Sequence, residues 1–212
     1  DDDSCVYTVT QELFLNGVIF NSVSLYNEPL DPDIDQIFGD ANIVLVTDDQ
    51  GGFYIPSSNV NTIGQWETGK GYQVLVGGFN DITIPCEGYP IDADSESVTL
   101  QPFLLNNIAY LLDSATSIES AFEGLPVIFA SDDQGRFYIP SSNVNTIDPA
   151  GGMQPGKGYQ VLISGTDAVD FVYGEADDAG LGRNQDIVGI SENYNVTRTG
   201  VSHPIVIDEL SG

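Results

Sequence analysis

Residues 48–63 read DDQGGFYIPSSNVNTI, and residues 132–147 read DDQGRFYIPSSNVNTI. The two stretches differ at one position, a glycine in the first copy and an arginine in the second. A second block, GKGYQVL, occupies residues 69–75 and recurs at residues 156–162. Sequence self-similarity over such a long period indicates that each copy is a small supersecondary unit. The sequence therefore predicts a duplicated module.

The order of predicted elements is the same in both copies. An apolar stretch around a turn predicts two buried strands, and a short helix follows at residues 31–39 in the first copy and 113–124 in the second. The Asp-Asp-Gln-Gly turn then joins two strands as a hairpin, and GKGYQVL forms a further strand. In the last strand, Ile82, Ile84 and Cys86 recur with the period of two that marks one buried face. The predicted fold class is therefore strand-rich α+β.

The composition is strongly acidic, with 32 Asp and Glu against 5 Lys and Arg and a net charge of −27. Such a chain repels phosphate backbones and anionic lipid surfaces, so we expect no nucleic-acid partner. No run of 18 apolar residues is present, so we expect no membrane insertion. An acidic chain of this kind has either a solvated, salt-tolerant surface or sites for divalent cations.

Two features indicate an extracellular protein. The chain begins at Asp1 and its only methionine is Met153, which predicts that a secretion signal has been removed. The only cysteines are Cys5 and Cys86, and an even count in a secreted chain favours a disulfide, within one chain or between two chains.

The motifs give little support to catalysis. GKGY is not a phosphate-binding loop, because such a loop has Ser or Thr directly after the lysine, and here glycine and then tyrosine follow it. His203 is the only histidine, and most general-base mechanisms use a histidine as the base, so few such mechanisms are available to this chain. We therefore expect no enzymatic activity and no required cofactor.

Calcium and glycans are the two ligand classes that the sequence leaves open. Paired aspartates recur in the two hairpin turns, and these four residues are the candidate metal ligands, although hairpin turns also favour Asp for conformational reasons: Asp48, Asp49, Asp132 and Asp133. Trp66 with Tyr54 and Tyr72 predicts either an aromatic platform for sugars or, more simply, core packing. A carbohydrate-binding or adhesion module is therefore the alternative function.

The phrase Pro-Gly-Lys-Gly-Tyr-Gln-Val at residues 155–161 resembles a phrase that recurs in tandem repeats of large secreted and surface proteins of Bacteroidetes-type bacteria. The resemblance covers residues 13–173 and implies an extracellular, non-catalytic role. In such proteins a segment like residues 199–205 opens an immunoglobulin-like β domain. Here the chain ends at Gly212, which predicts an incomplete immunoglobulin-like domain.

The resulting domain organisation has five parts. They are an extended N-terminal arm (residues 1–12), the first repeat (13–86), a linker (87–97), the second repeat (98–173) and the C-terminal β segment, a partial immunoglobulin-like domain (174–212).

The arm and the C-terminal segment together suggest assembly by strand exchange. A sheet that lacks a strand is a template for another chain, and an extended arm can supply that strand, as in donor-strand pili. The candidate donor residues are Cys5, Val6, Tyr7, Thr8, Val9 and Thr10, and the candidate acceptor residues are Val201, Ile205, Val206 and Ile207. Head-to-tail use of two different surfaces produces an open filament, so we predict a homopolymer. Pairing of the arm within its own chain is the alternative.

Overall fold

The computed structural model describes residues 7–173, and all of them belong to one compact unit. The strands of the first half are β1 (Val9–Leu15), β2 (Phe20–Val23), β3 (Asn27–Pro29), β4 (Ile43–Thr47), β5 (Phe53–Ile55), β6 (Val60–Asn61), β7 (Tyr72–Val76) and β8 (Ile82–Pro90). Those of the second half are β9 (Ser97–Leu100), β10 (Leu105–Ala109), β11 (Val127–Ser131), β12 (Phe137–Ile139), β13 (Val144–Asn145), β14 (Gly158–Ile163) and β15 (Val169–Val172). The helices are α1 (Ile34–Phe38) and α2 (Ile118–Ala121).

The described strands form antiparallel sheets in both halves. The first half has a five-stranded sheet in the order β2-β7-β4-β5-β6 and a three-stranded sheet in the order β1-β8-β3. The second half has a five-stranded sheet in the order β10-β14-β11-β12-β13 and a two-stranded sheet, β15-β9. The two five-stranded sheets, here called the first and second large sheets, therefore have corresponding strand orders. The prediction of a strand-rich fold is confirmed, whereas the helical component is small.

The hairpins predicted at the Asp-Asp-Gln-Gly turns are present. β4 pairs with β5 through Val46 and Tyr54, and β11 pairs with β12 through Ala130 and Tyr138. The buried face predicted for the last strand of the first half is also present, because Ile84 and Cys86 on β8 are buried while Pro85 between them is exposed. β8 continues to Pro90, four residues into the segment predicted as a linker.

The two strands that flank each early turn do not pair with each other. β1 pairs with β8, whereas β2 pairs with β7, so the chain passes from the small sheet to the large sheet at Asn16-Gly17. The same passage from small to large sheet occurs between β9 and β10. Turn residues between apolar runs predict a change of direction, but they do not specify the partner of each run.

Both helices are shorter than the sequence predicts. In the second half, the Thr116 amide donates to the Met153 carbonyl at 3.2 Å, and the Met153 amide donates back to Thr116 at 2.8 Å. This pairing holds Thr116 in an extended conformation, so α2 begins only at Ile118. In the first half, the Trp66 amide donates to the Pro32 carbonyl and delays α1 in the same way. Backbone pairing with a distant segment therefore overrides the local helix preference.

Each half has its own hydrophobic cluster. Trp66 belongs to the first cluster, where it is 6% exposed and its ring centroid lies 4.2 Å from that of Tyr72. Tyr54 is buried in the same cluster. These aromatic side chains therefore pack in the core, and they do not form the exposed platform for sugars that was one of the two predictions.

Within residues 7–173, no helix has both the length and the apolar character needed to cross a membrane.

Replacement of Trp66 by alanine should lower the free energy of unfolding by about 3–5 kcal/mol, because it removes a large buried ring and leaves a cavity in the first cluster. Urea titration followed by circular dichroism measures this change. Phe79→Ala is the control, since Phe79 is 89% exposed and its loss should change the same quantity by less than about 0.5 kcal/mol. Equal effects of the two substitutions would contradict the core assignment of Trp66.

Candidate functional site: the junction between the two large sheets

The first aspartate of each Asp-Asp-Gln-Gly turn holds the turn closed. Oδ1 of Asp48 accepts the amides of Gln50 at 2.9 Å and Gly52 at 2.6 Å. Oδ1 of Asp132 accepts the amides of Gln134 at 2.9 Å and Arg136 at 3.0 Å. These are local side-chain to backbone hydrogen bonds of the kind that make Asp frequent in turns.

The second aspartate of each turn reaches the opposite sheet. Oδ2 of Asp49 accepts the backbone amide of Asn107 at 3.1 Å, and Oδ2 of Asp133 accepts the backbone amide of Ser22 at 3.1 Å. Asn107 and Ser22 occupy corresponding positions, because Asn107 is opposite Gln160 on β14 and Ser22 is opposite Gln73 on β7. The two turns therefore make reciprocal contacts across the junction.

The GKGY segments pair with the opposite sheet through their backbones. The Gly71 amide donates to the Asn107 carbonyl at 2.9 Å, and the Ala109 amide donates to the Gly69 carbonyl at 2.9 Å. On the other side, the Ser24 amide donates to the Gly156 carbonyl at 3.1 Å. A side chain at Gly71 would place its Cβ 2.6 Å from the Ile108 carbonyl oxygen, which is too close for any residue except glycine.

Ser24 links three segments at the centre of the junction and is fully buried. Its hydroxyl donates to the Lys157 carbonyl at 2.8 Å and accepts the Tyr110 amide at 3.1 Å, in addition to the backbone contact with Gly156. The Gln11 side-chain amide donates to the Ser24 carbonyl at 2.7 Å. Sequence reasoning did not single out Ser24 or Gln11, because a lone Ser or Gln in an apolar stretch carries no pattern of its own.

The two lysines of the GKGY segments have different partners. Nζ of Lys157 lies 2.9 Å from Oδ2 of Asp133, the second turn aspartate of its own half, whereas Nζ of Lys70 lies 2.8 Å from Oε2 of Glu67 in its own loop. The residue three positions before the lysine explains the difference, since it is Glu67 in the first segment and the uncharged Gln154 in the second. Lys70 is thereby held away from Asp49.

A cleft of about 300 Å³ lies on the Lys70 side of the junction. It is bounded by the first-sheet turn, the GKGY loop, β9 and β10. Its polar lining residues include Asp49, Gln50, Lys70, Thr99, Gln101 and Asn107, and its apolar lining residues include Val98, Leu104 and Leu105. This cleft is the concave feature of the junction that offers both hydrogen-bonding groups and apolar surface.

The four candidate metal ligands are spread over two turns, and their oxygens accept hydrogen bonds from backbone amides, the Gln134 side-chain amide or basic side chains. Asp132 also accepts Nε of Arg136 at 2.5 Å, and Asp133 accepts Lys157. Among residues 7–173, no three or more His, Cys, Asp or Glu side chains are grouped so that they could hold a metal ion. Calcium binding at these aspartates stays a prediction.

The candidate donor residues fall into three groups: those on β1, those just before β1 and those outside the described residues. Val9 and Thr10 lie on β1, opposite Gly88 and Glu87 of the same chain. Tyr7 and Thr8 precede β1 and are exposed, and the Thr8 hydroxyl donates to the Glu87 carboxylate at 2.7 Å. The remaining donor residues, Cys5 and Val6, and the acceptor residues, Val201, Ile205, Val206 and Ile207, lie outside the described residues.

The predicted disulfide also extends beyond the described residues, because Cys5 is not among them. Cys86 is buried on β8, with its Sγ 3.9 Å from the Ile84 carbonyl oxygen. Burial raises the pKa of the Cys86 thiol to about 12. Pairing of Cys5 with Cys86 therefore stays a prediction.

No protein-family model, curated protein or solved structure matches the chain.

Gly71→Ala should lower the free energy of unfolding by more than about 2 kcal/mol, because the added Cβ forces the two large sheets apart at the Ile108 carbonyl. Urea titration measures the change. Gly51→Ala is the matched control: its Cβ would meet nothing within 4 Å, but its φ of 89° carries the ordinary cost, about 1 kcal/mol, of a left-handed alanine. Equal losses for the two variants would contradict the requirement for close backbone approach at Gly71.

Stability should fall as the pH rises above about 9. Burial raises the pKa of the Tyr72 and Tyr159 phenols well above the ordinary value of 10.0, and raises that of the Cys86 thiol above 9.0. The unfolded chain therefore loses these protons first, so the stabilisation present below pH 9 is lost as the pH rises toward the folded-state values. Urea titrations at pH 8 to 11 measure the slope. Tyr159→Phe should reduce it, and an unchanged slope in this variant would contradict the assignment.

Proposed function

We propose that this chain is a non-catalytic structural subunit of an extracellular filament, in which the N-terminal arm of one subunit adds as a β-strand to a neighbouring subunit. The observation that carries the proposal is the position of the arm. β1 is an edge strand of its sheet, and Tyr7, immediately before it, is 64% exposed. An arm that leaves from a sheet edge is well placed to continue as a strand in another molecule.

The chemistry of the arm supports the same proposal. Residues 4–10 read SCVYTVT and contain no charged side chain, in a protein whose net charge is −27. β-branched and aromatic residues predominate in this stretch, and such residues favour extended strands. Pairing through backbone amides and carbonyls requires no complementary charge, so an acidic chain can associate with copies of itself in this way.

The contacts at the junction between the large sheets also support a structural role. The duplicated sequence blocks supply its contacts: the second aspartate of each turn and the glycines of each GKGY segment bind the opposite sheet. The two copies of these blocks therefore hold the two large sheets together through the same kinds of contact. We further propose that the two halves are tandem repeat modules and that residues 174–212 form the immunoglobulin-like β segment that receives the arm.

The structure also limits the part of the arm that can pair with another subunit. Val9 and Thr10 already pair with β8, so the exchanged strand is proposed to consist of residues 1–8. Six extended residues, such as 3–8, span roughly 20 Å, which is enough to cross a small sheet.

Removal of residues 1–6 should abolish filaments in negative-stain electron microscopy of the purified full chain, because the exchanged strand is lost while β1 remains intact. Tyr7→Pro should have the same effect without shortening the arm, since proline cannot donate a backbone hydrogen bond to a sheet. Tyr7→Thr keeps both the amide and the strand preference, and it is the matched control that should still polymerise. Filaments of normal length in the deletion and proline variants, or monodisperse particles in the unaltered protein, would refute the proposal.

A further inference from the structure

The two sides of the junction are built from nearly identical sequence, yet one of them is left incomplete. On the Lys157 side, the ammonium group meets Asp133, and the Ser22 hydroxyl accepts the Gln73 side-chain amide at 2.9 Å. On the Lys70 side, the ammonium group is held by Glu67, and the cleft of about 300 Å³ lies beside it. The Lys157 side therefore has two contacts without a counterpart on the Lys70 side. They are the ion pair between the lysine and the second turn aspartate, and the hydrogen bond to the side chain of Ser22.

On the Lys70 side, the side-chain oxygen of Asn107 has no hydrogen-bond partner among the described residues. Its backbone is fully used, because its amide donates to Asp49 and its carbonyl accepts from Gly71. Its side chain lines the cleft and is only 7% exposed, and Oδ1 is buried with no hydrogen-bond donor among residues 7–173. An unpaired buried amide oxygen is destabilising, so a ligand in the cleft that donates to the Asn107 side chain would offset that cost.

The cleft also has an apolar wall with an unusual conformation at its edge. Leu104 and Leu105 line it, and their side chains are 61% and 45% exposed. Phe103, adjacent to them in the chain, has a φ of 58° and is 67% exposed. A bulky residue in the left-handed region is a genuine outlier, and such outliers concentrate at ligand-binding positions.

We infer that this cleft binds a neutral sugar residue. The lining offers the carboxylate of Asp49, the ammonium of Lys70 and the amides of Gln50, Gln101 and Asn107, which together can accept from and donate to several hydroxyl groups. The leucine wall suits the apolar face of a pyranose ring. The net charge of −27 repels anionic ligands, and the ammonium group of Lys70 in the lining of the cleft repels a metal cation.

This inference is independent of the filament proposal, because it concerns the Lys70 side of the junction and not the arm. It also differs from the aromatic platform considered from the sequence, since Trp66 is buried in the first cluster. The side chains that specify it, Asn107 and Glu67, are the positions at which the two sides of the junction diverge from Ser22 and Gln154.

Nitrogen-15 NMR titration of the full chain tests the inference. The probes are glucose, galactose, mannose, N-acetylglucosamine, fucose and xylose, each added at millimolar concentration. We expect at least one of them to shift the side-chain amide signals of Gln50, Gln101 and Asn107, with the signals of Gln154 unchanged.

Two substitutions, each toward the residue present on the other side, test the mechanism without truncating the fold. Asn107→Ser removes the unpaired oxygen, and Glu67→Gln releases Lys70 to pair with Asp49 as Lys157 pairs with Asp133. Each should weaken sugar binding about tenfold, the effect of losing one well-placed hydrogen bond. Ser22→Ala, on the Lys157 side, should leave the affinity unchanged. Thermal melts establish that each variant is folded.

The inference is overturned if no sugar in the panel shifts the cleft signals. It is equally overturned if the affinity survives in both Asn107→Ser and Glu67→Gln, or if calcium chloride moves the cleft signals while the sugars do not, which would make this a cation site.

Discussion

The structure depends on the backbone pairing between the GKGY segments and the opposite large sheet. Because Gly71 and Gly158 have no side chains, the two sheets approach until carbonyl oxygens and amides meet directly. Buried backbone groups must be paired, so the loss of this contact would leave polar groups exposed to an apolar interior on both sides. Ser24 completes the arrangement by using its amide, hydroxyl and carbonyl on three different segments.

This constraint explains why the two sequence blocks are so similar. An interface in which each side supplies the same contacts fixes the same residue types twice, as in an isologous dimer. The first aspartate closes the turn and the second binds the opposite sheet, so neither position tolerates change without loss of a buried hydrogen bond. The difference between Glu67 and Gln154 redirects one lysine and makes the two sides of the junction unequal.

Local patterns predicted the local elements well. The Asp-Asp-Gln-Gly turn specified both hairpins, and the alternation in the last strand specified its buried face, because each depends on residues that are neighbours in the chain. The contacts of Thr116 with Met153, and of Pro32 with Trp66, join distant segments, so the shortened helices were not predictable from helical periodicity. Of the junction, the sequence predicted the aspartates but assigned them to turns or calcium. The hydrogen bonds of Asp49 and Asp133 to the opposite sheet depend on how the sheets pack. A local sequence pattern does not encode that packing.

The charge distribution connects the junction with the proposed assembly. The only two lysines of the chain, Lys70 and Lys157, both form ion pairs at the junction. These two ammonium groups are therefore already paired within the molecule. Few cations remain to join one acidic molecule to another. Association of such molecules must then use contacts that are indifferent to charge, and strand addition by the uncharged residues 4–8 of the arm is a contact of this kind. Screening by salt should ease the residual repulsion between subunits without weakening the strand pairing itself, because backbone hydrogen bonds in a sheet carry no net charge.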